Sequence, residues 1–193
     1  QRHTSSYIYQ LERQIISILL KYGAEEIQFE DIILNKDEDG KLVEIKKNIR
    51  SKVFEKIYLD LQQDEIEFTH SPFKSIYKNL IDSFHNQESV SIDNFINDLD
   101  SNSSKIVSDI LINDDKYQLH DWERKNIYVK KIGSELSQLV NETILNMRRY
   151  LIDKKINELQ ESKKDNDKGD VLEEVMSYYK LKKMLSAKLN RVV

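Results

Sequence analysis

Apolar residues recur three and four positions apart along most of the chain. Ile8, Leu11, Ile15, Ile18, Leu19 and Tyr22 set the rhythm, which predicts an amphipathic helix over 7–22. Ser5 or Ser6 stands where an N-cap is needed, and Gly23 can take the left-handed geometry that ends a helix. Beyond a polar loop that turns at Asp39-Gly40, the residues Ile45, Ile49, Val53, Phe54, Ile57, Tyr58 and Leu61 keep the same spacing. They predict a second helix. Ser71-Pro72 marks a third start, with Ser as the cap and Pro at the first helical position, where its missing N–H is not needed. Phe73, Ile76, Tyr77, Leu80, Ile81 and Phe84 then give a broad apolar face. Two short helices follow, one over 92–98 behind Ser91 and one over 105–111 behind Ser103 or Ser104. No segment alternates apolar and polar residues long enough to predict a strand.

From Ile127 to Ser162 nothing interrupts helical periodicity, which gives a rod of roughly 54 Å at 1.5 Å per residue. Its apolar face changes phase. Ile132, Leu136, Leu139, Thr143, Met147 and Leu151 form one stripe, whereas Ile152, Ile156 and Leu159 form another, turned by about 100°. The two halves of the rod therefore face different surroundings. A last helix runs to Leu189 with Val171, Val175, Tyr178, Leu181, Leu185 and Leu189 in one stripe. Between rod and last helix lies ESKKDNDKGD (161–170), with seven charged residues and Gly169. A short polar stretch between two apolar stripes reads as the turn of an antiparallel hairpin, centred near 162–170, with a flexible tether as the alternative. The expected class is all-α: a helical bundle over 1–126, then over 127–193 a long connecting helix and a C-terminal antiparallel helical hairpin.

Composition supports helices: four Gly and one Pro in 193 residues are too few for the many turns of an all-β fold. The chain has no Cys, which excludes disulfides and thiolate metal sites and fits a cytoplasmic location. No apolar run approaches the length that spans a membrane, so no membrane partner is expected. The chain opens on Gln1 with near-helical pattern at once, as a piece of something larger would. Net charge is −4, which argues against general nucleic-acid binding. Its distribution is uneven. Residues 1–144 carry 18 Lys and Arg against 26 Asp and Glu, and residues 145–193 carry 12 against 8.

Candidate chemistry is sparse. In NKDEDGKLVEIK (35–46), Asn35, Asp37, Asp39 and Gly40 occupy the first, third, fifth and sixth positions of a calcium loop. The twelfth position, which must supply a bidentate carboxylate, is Lys46. The stretch reads as a solvated acidic turn. His3, His70, His85 and His120 are scattered, none with a partner at metal-ligand spacing. No glycine-rich phosphate loop and no nucleophile elbow occurs. No catalytic, metal or cofactor residue is assigned.

The last helix carries an anomaly. Beyond the stripe that should close the hairpin, Leu172, Met176, Tyr179 and Met184 place apolar surface on a neighbouring face, among Lys180, Lys183, Lys188 and Arg191. A two-helix hairpin buries one stripe per helix, so this face has no obvious partner within it. Met and Tyr interleaved with cations suit an adaptable contact surface. The alternative is a hairpin that folds back and buries the face on the bundle.

The order of these pieces resembles the C-terminal helicase-binding region of bacterial DnaG-type primases, of the Bacteroidetes type. The phrases that carry the resemblance are LERQIISILLKYG (11–23), DEIEFTHSPFKSIY (64–77), HDWERKNIYV (120–129) and the terminal KLNRVV (188–193). The resemblance implies a helical bundle followed by a helical hairpin on a long connecting helix. It implies that the hairpin, here Leu172, Met176, Tyr179, Lys180, Lys183, Met184, Lys188 and Arg191, docks on the N-terminal domains of the hexameric DnaB-type helicase. Such a module tethers primer synthesis to the replication fork without chemistry of its own. The zinc-binding and magnesium-dependent polymerase modules of such primases lie upstream, so zinc and magnesium are expected only there. Some members also bind the acidic tail of single-strand-binding protein. Arg148-Arg149 is a basic pair that could serve, with a solvated helix face as the plainer reading. The alternative identity is the N-terminal domain of a DnaB-type helicase, which shares the bundle fold.

Overall fold

The computed structural model describes residues 7–36, 42–86, 90–118, 132–162 and 170–191. Among them, helix α1 (Tyr7–Tyr22) spans the range that its apolar spacing predicts. It is buried beyond a single stripe: Ile8, Leu11, Ile15, Ile16, Ile18, Leu19 and Leu20 are all inside. The reason is its position, since α1 packs on α2 (Val53–Gln63), α3 (Ser71–Asn86), α5 (Ser101–Gln118) and α6 (Ile132–Ser162). Each such fully buried aliphatic side chain stabilises the fold by about 1.5–3 kcal/mol.

The class is mostly helical but not all-α, which corrects the sequence expectation. After α1 the chain forms an antiparallel β-hairpin, β1 (Glu26–Lys36) and β2 (Leu42–Lys52). Phe29 pairs with Ile49 and Ile33 with Ile45, which places these four positions on one face of the ribbon. Along β1 burial alternates as a strand requires: Glu26, Gln28 and Glu30 are exposed, Ile27 is half-buried and Phe29 is fully buried. On the outer face Arg50 meets Glu26 at 3.3 Å. The second helix expected from Ile45 onward therefore begins only at Val53. Ile45, Ile49 and Val53 are four apart, a spacing that fits both periods, and pairing with β1 decides for the strand. In the calcium-loop stretch, Asp37, Asp39 and Gly40 lie outside the described residues. Asn35 and Lys46 are strand residues, opposite Val43 and Ile32.

β2 passes into α2 without a loop. Glu55 accepts from the Lys52 backbone N–H (3.3 Å) and the Ser51 hydroxyl (3.2 Å), which closes the junction. The far end of α2 is a Schellman motif: the Ile66 N–H reaches the Leu61 carbonyl (2.9 Å) and the Glu65 N–H the Gln62 carbonyl (3.2 Å). Glu65 sits there at φ 53°, a left-handed geometry that glycine adopts without strain. Glu65→Gly should therefore raise stability by about 1 kcal/mol, read as a higher urea midpoint at unchanged slope. A lower midpoint would show that the glutamate side chain has a structural role of its own.

Gly23 ends α1 for a different reason from the one its sequence position suggests. It is not left-handed. A Cβ there would lie 2.5 Å from the Leu19 carbonyl oxygen and closer still to the Phe84 ring, so the glycine is needed for close approach. Its own carbonyl accepts from the Phe54 N–H at 3.0 Å, and Phe54 stacks on Phe84 at 4.9 Å.

α4 (Ile92–Asp98) falls where expected. α5 is longer than the predicted 105–111 and starts earlier, because its cap is Asp100 and not Ser103 or Ser104. Asp100 Oδ1 accepts from the backbone N–H of Asn102 (2.9 Å) and Ser103 (3.0 Å). The Ser103 hydroxyl and N–H hold the Asp100 carboxyl below its usual range.

α6 is a single helix of 31 residues, about 46 Å long, and it serves two cores. Leu136, Val140, Ile144 and Met147 join the main core with α1, α2, α3 and Phe29. Leu145, Ile152 and Ile156 join a small second cluster with Val175 and Leu185 of α7 (Asp170–Arg191). The phase change read from sequence is real: Leu136, Thr143 and Met147 of the first stripe are buried and Leu139 packs partly buried against the main core, while Val140 and Ile144 join them and Leu151 does not. Arg148 pairs with Asp64 at the end of α2, and Tyr7 meets Tyr150 with ring centres 6.4 Å apart. Arg148 is thus engaged within the fold.

A candidate interaction surface on the last helix

Helix α7 is held almost wholly by α6. Val175 and Leu185 are buried in the second cluster, with Tyr178 partly so. Lys182 Nζ lies 2.5 Å from Asp153 Oδ1, and the Gln160 side-chain amide donates to the Tyr179 hydroxyl at 3.4 Å. Moving from Asp153 to Gln160 along α6 thus moves back from Lys182 to Tyr179, so the helices run antiparallel. Residues 163–169, where the turn near 162–170 is expected, lie outside the described residues.

The seam departs from the predicted stripe at one point. Leu181 is 42% exposed, and Lys182, half-buried, takes the seam position instead with its charge on Asp153. Alternating steps of four and three from Val171 lead through Val175, Tyr178, Lys182 and Leu185. That cadence was present in the sequence, but a lysine in it was passed over for the neighbouring leucine.

Away from the seam, Leu172 is 51%, Met176 53%, Tyr179 50% and Met184 48% exposed. At 100° per residue Leu172, Met176, Tyr179 and Lys183 lie within about 60° of one another. This stripe lies about 110° round the helix from the seam, with Tyr179 at its edge nearest α6. Lys180 flanks it and is exposed, as is Lys183. Met184 stands about 100° from the stripe and shares a second flank with Leu181 and the half-buried Lys188. The Arg191 side chain lies outside the described residues. Helix geometry thus gathers Leu172, Met176, Tyr179, Lys180 and Lys183 and sets Met184 and Lys188 apart.

A second concave feature lies between α2 and α3 and was not foreseen. It is a cleft of about 270 Å³ lined by Tyr58, Ile66, Phe68, Tyr77 and Ile81, with Lys74 and Lys78 at its rim. Phe68 stacks on Tyr77 at 4.7 Å, and Lys74 reaches Glu67 at 2.7 Å. Burial, with the neighbouring Tyr58 adding to it, pushes the Tyr77 phenol above its ordinary range. A raised folded-state value means that the stability from neutral Tyr77 is complete below about pH 10. It is lost as pH rises through the folded value. Tyr77→Phe should therefore show a shallower fall of the thermal midpoint than the parent between about pH 10 and pH 12. Parallel alkaline profiles would show that Tyr77 titrates no differently when folded.

The described histidines serve the scaffold. His70 Nδ1 lies 2.6 Å from Glu12 Oε2. His85 donates from Nδ1 to the Ile81 carbonyl (2.9 Å) and packs edge-on to Phe54 and Tyr58. His3 and His120 lie outside the described residues, as does HDWERKNIYV. Among the described residues no group of His, Asp and Glu is arranged to hold a metal. No described helix is long and apolar enough to cross a membrane.

Neither a curated protein nor a solved structure matches the chain. The family model DUF8430, a domain of unknown function, matches residues 1–192, and the chain belongs to that family.

Proposed function

We propose that this chain is a non-catalytic docking module whose α7 face binds another protein, and that the partner is the N-terminal region of a replicative hexameric helicase. The observation that carries the docking role is the exposed Leu172–Met176–Tyr179 stripe beside Lys180 and Lys183, on a helix that its own fold grips from one side only. Large apolar side chains half in water on one helix face mark contact surfaces more often than they mark anything else. The helicase as partner, and the parent protein as a cytoplasmic DNA primase acting at replication forks, rest on the sequence resemblance. The finer architecture is part of this reading: a helical body, a connecting helix and a helical hairpin that presents the docking face, with the β1–β2 ribbon as an addition to the layout that the resemblance implies. Tethering would raise the local concentration of primase at the fork with no new chemistry.

The test is capture of the cognate helicase by the 193-residue chain, with and without Met176→Asp. A carboxylate forced into a closed apolar contact weakens it by about 2 kcal/mol or more, roughly thirtyfold. Met176 is 53% exposed, so the same change should move fold stability by no more than about 0.5 kcal/mol. A helicase that ignores the wild-type chain at high micromolar concentration defeats the partner assignment.

A further inference from the structure

We infer that α7 pairs antiparallel with α7 of a second copy of this chain, through the stripe Leu172, Met176, Tyr179 and Lys183. The pairing itself stands on the geometry of α7. Its consequence, that a self-paired chain cannot dock, rests on the function proposed above.

Three features of α7 point to a second copy as the occupant. The stripe lies about 110° round α7 from its seam with α6, so pairing through it would bring α6, α7 and their two counterparts into a four-helix arrangement. Four helices bury what two leave exposed, namely side chains that are now about half in water.

The stripe is also self-complementary in shape. A two-fold axis level with Ser177 and Tyr178 sets Met176 at the height of Tyr179 of the second copy. It sets Leu172 at the height of the second copy's Lys183. Methionine sulfur against an aromatic ring is a favourable contact, and the lysine stem covers Leu172 while its ammonium stays in water.

The third feature is charge. Glu173 is exposed at the acidic start of α7, and Lys180 and Lys183 are exposed further along. The same two-fold axis carries Glu173 alongside Lys180 and Lys183 of the second copy, and does so twice by symmetry. Parallel pairing would oppose like charges and aligned helix dipoles; the antiparallel arrangement opposes unlike ones. No face elsewhere on the described surface combines an apolar stripe with charges ordered in this way.

Charge swapping tests the pairing without touching the fold, because all three positions are exposed. Sedimentation velocity on the full chain should show reversible dimers at about 50 µM. Glu173→Lys alone, and Lys180→Glu with Lys183→Glu, should each weaken dimerisation by about fivefold or more, since every dimer contains the altered contact twice. An equimolar mixture of the two variants restores both contacts and should give mixed dimers in preference to either self-pair. A wild-type chain that stays monomeric to about 1 mM overturns the inference, as do variants that dimerise like wild type or a mixture without preference. Helicase capture is a separate reading, made with monomeric Glu173→Lys, which keeps the stripe, Lys180 and Lys183: no capture by that monomer would overturn the proposed partner alone, and capture by a wild-type chain that stays monomeric to about 1 mM would overturn the pairing alone.

Discussion

Glu12→Ala is expected to destabilise the fold by about 3 kcal/mol, the largest loss from any single polar side chain among the described residues. Glu12 is fully buried in α1, and both carboxylate oxygens are used twice. Oε1 accepts from the Thr69 backbone N–H (2.5 Å) and the Thr69 hydroxyl (2.7 Å). Oε2 accepts from the His70 backbone N–H (3.2 Å) and the His70 ring nitrogen Nδ1 (2.6 Å). These donors sit at the mouth of α3, whose first amides have no partners within the helix. The carboxylate thus caps α3 from α1, and the helix dipole favours a negative group there. Removing it leaves several donors without an acceptor. For a chain of this length the thermal midpoint should fall by about 6–12 °C. Glu12→Gln keeps one acceptor oxygen but aims an amide donor at donors, so it should fall between wild type and alanine. A midpoint within a degree of wild type for Glu12→Ala would show that water replaces the carboxylate at no cost.

Leu185→Asp should release α7 while the main core survives. Leu185 is 7% exposed in a cluster with Leu145, Ile152, Ile156 and Val175. That cluster is small, and α7 has its substantial packing with α6 alone. Losing the leucine and inserting an unpaired carboxylate should cost about 3 kcal/mol or more, enough to exceed what so small a cluster supplies. The main core, built on α1 and shared with the first half of α6, does not include Leu185. Amide hydrogen exchange should therefore show lost protection across α7 and the end of α6, with α1 and α3 unchanged. Loss of protection in α1 as well would mean that the two clusters fold as one unit. Set beside Met176→Asp, which should leave exchange in α7 intact, the pair separates the seam from the docking stripe on a single helix.

Local signals made part of this architecture legible. α1 and α4 have the bounds that their spacing predicts, and α3 begins at Ser71, one residue before the start that Ser71-Pro72 announces, with His70 and not Ser71 as its cap. Each depends on neighbours three or four residues away, which are visible in any short window. The β-hairpin was missed because its pattern is mixed. β1 alternates through Phe29, then Asp31 takes an apolar slot and Ile32, Ile33 and Leu34 run together. β2 offers Ile45 and Ile49 at a spacing that a helix also satisfies. Pairing across the ribbon, Phe29 to Ile49 and Ile33 to Ile45, settles the choice, and no window on either strand contains that information.

The candidate surface divides in the same way. That α7 carries apolar residues beyond one stripe, among lysines, was plain from the order of residues. That Leu172, Met176 and Tyr179 stay half in water depends on what does not pack against them, a property of the whole fold. Lys182 in the seam and Leu181 outside it were decided by Asp153 on α6.

By itself, the sequence determined most of the helical periodicity, the change of phase along α6 and the uneven charge of the two parts of the chain, because these are properties of residues close together in the chain. Tertiary structure alone decided that a glutamate in the middle of α1 would be the most buried acid among the described residues. Only a fold that brings Thr69 and His70 to Glu12 supplies the four hydrogen bonds that make burying a carboxylate tolerable.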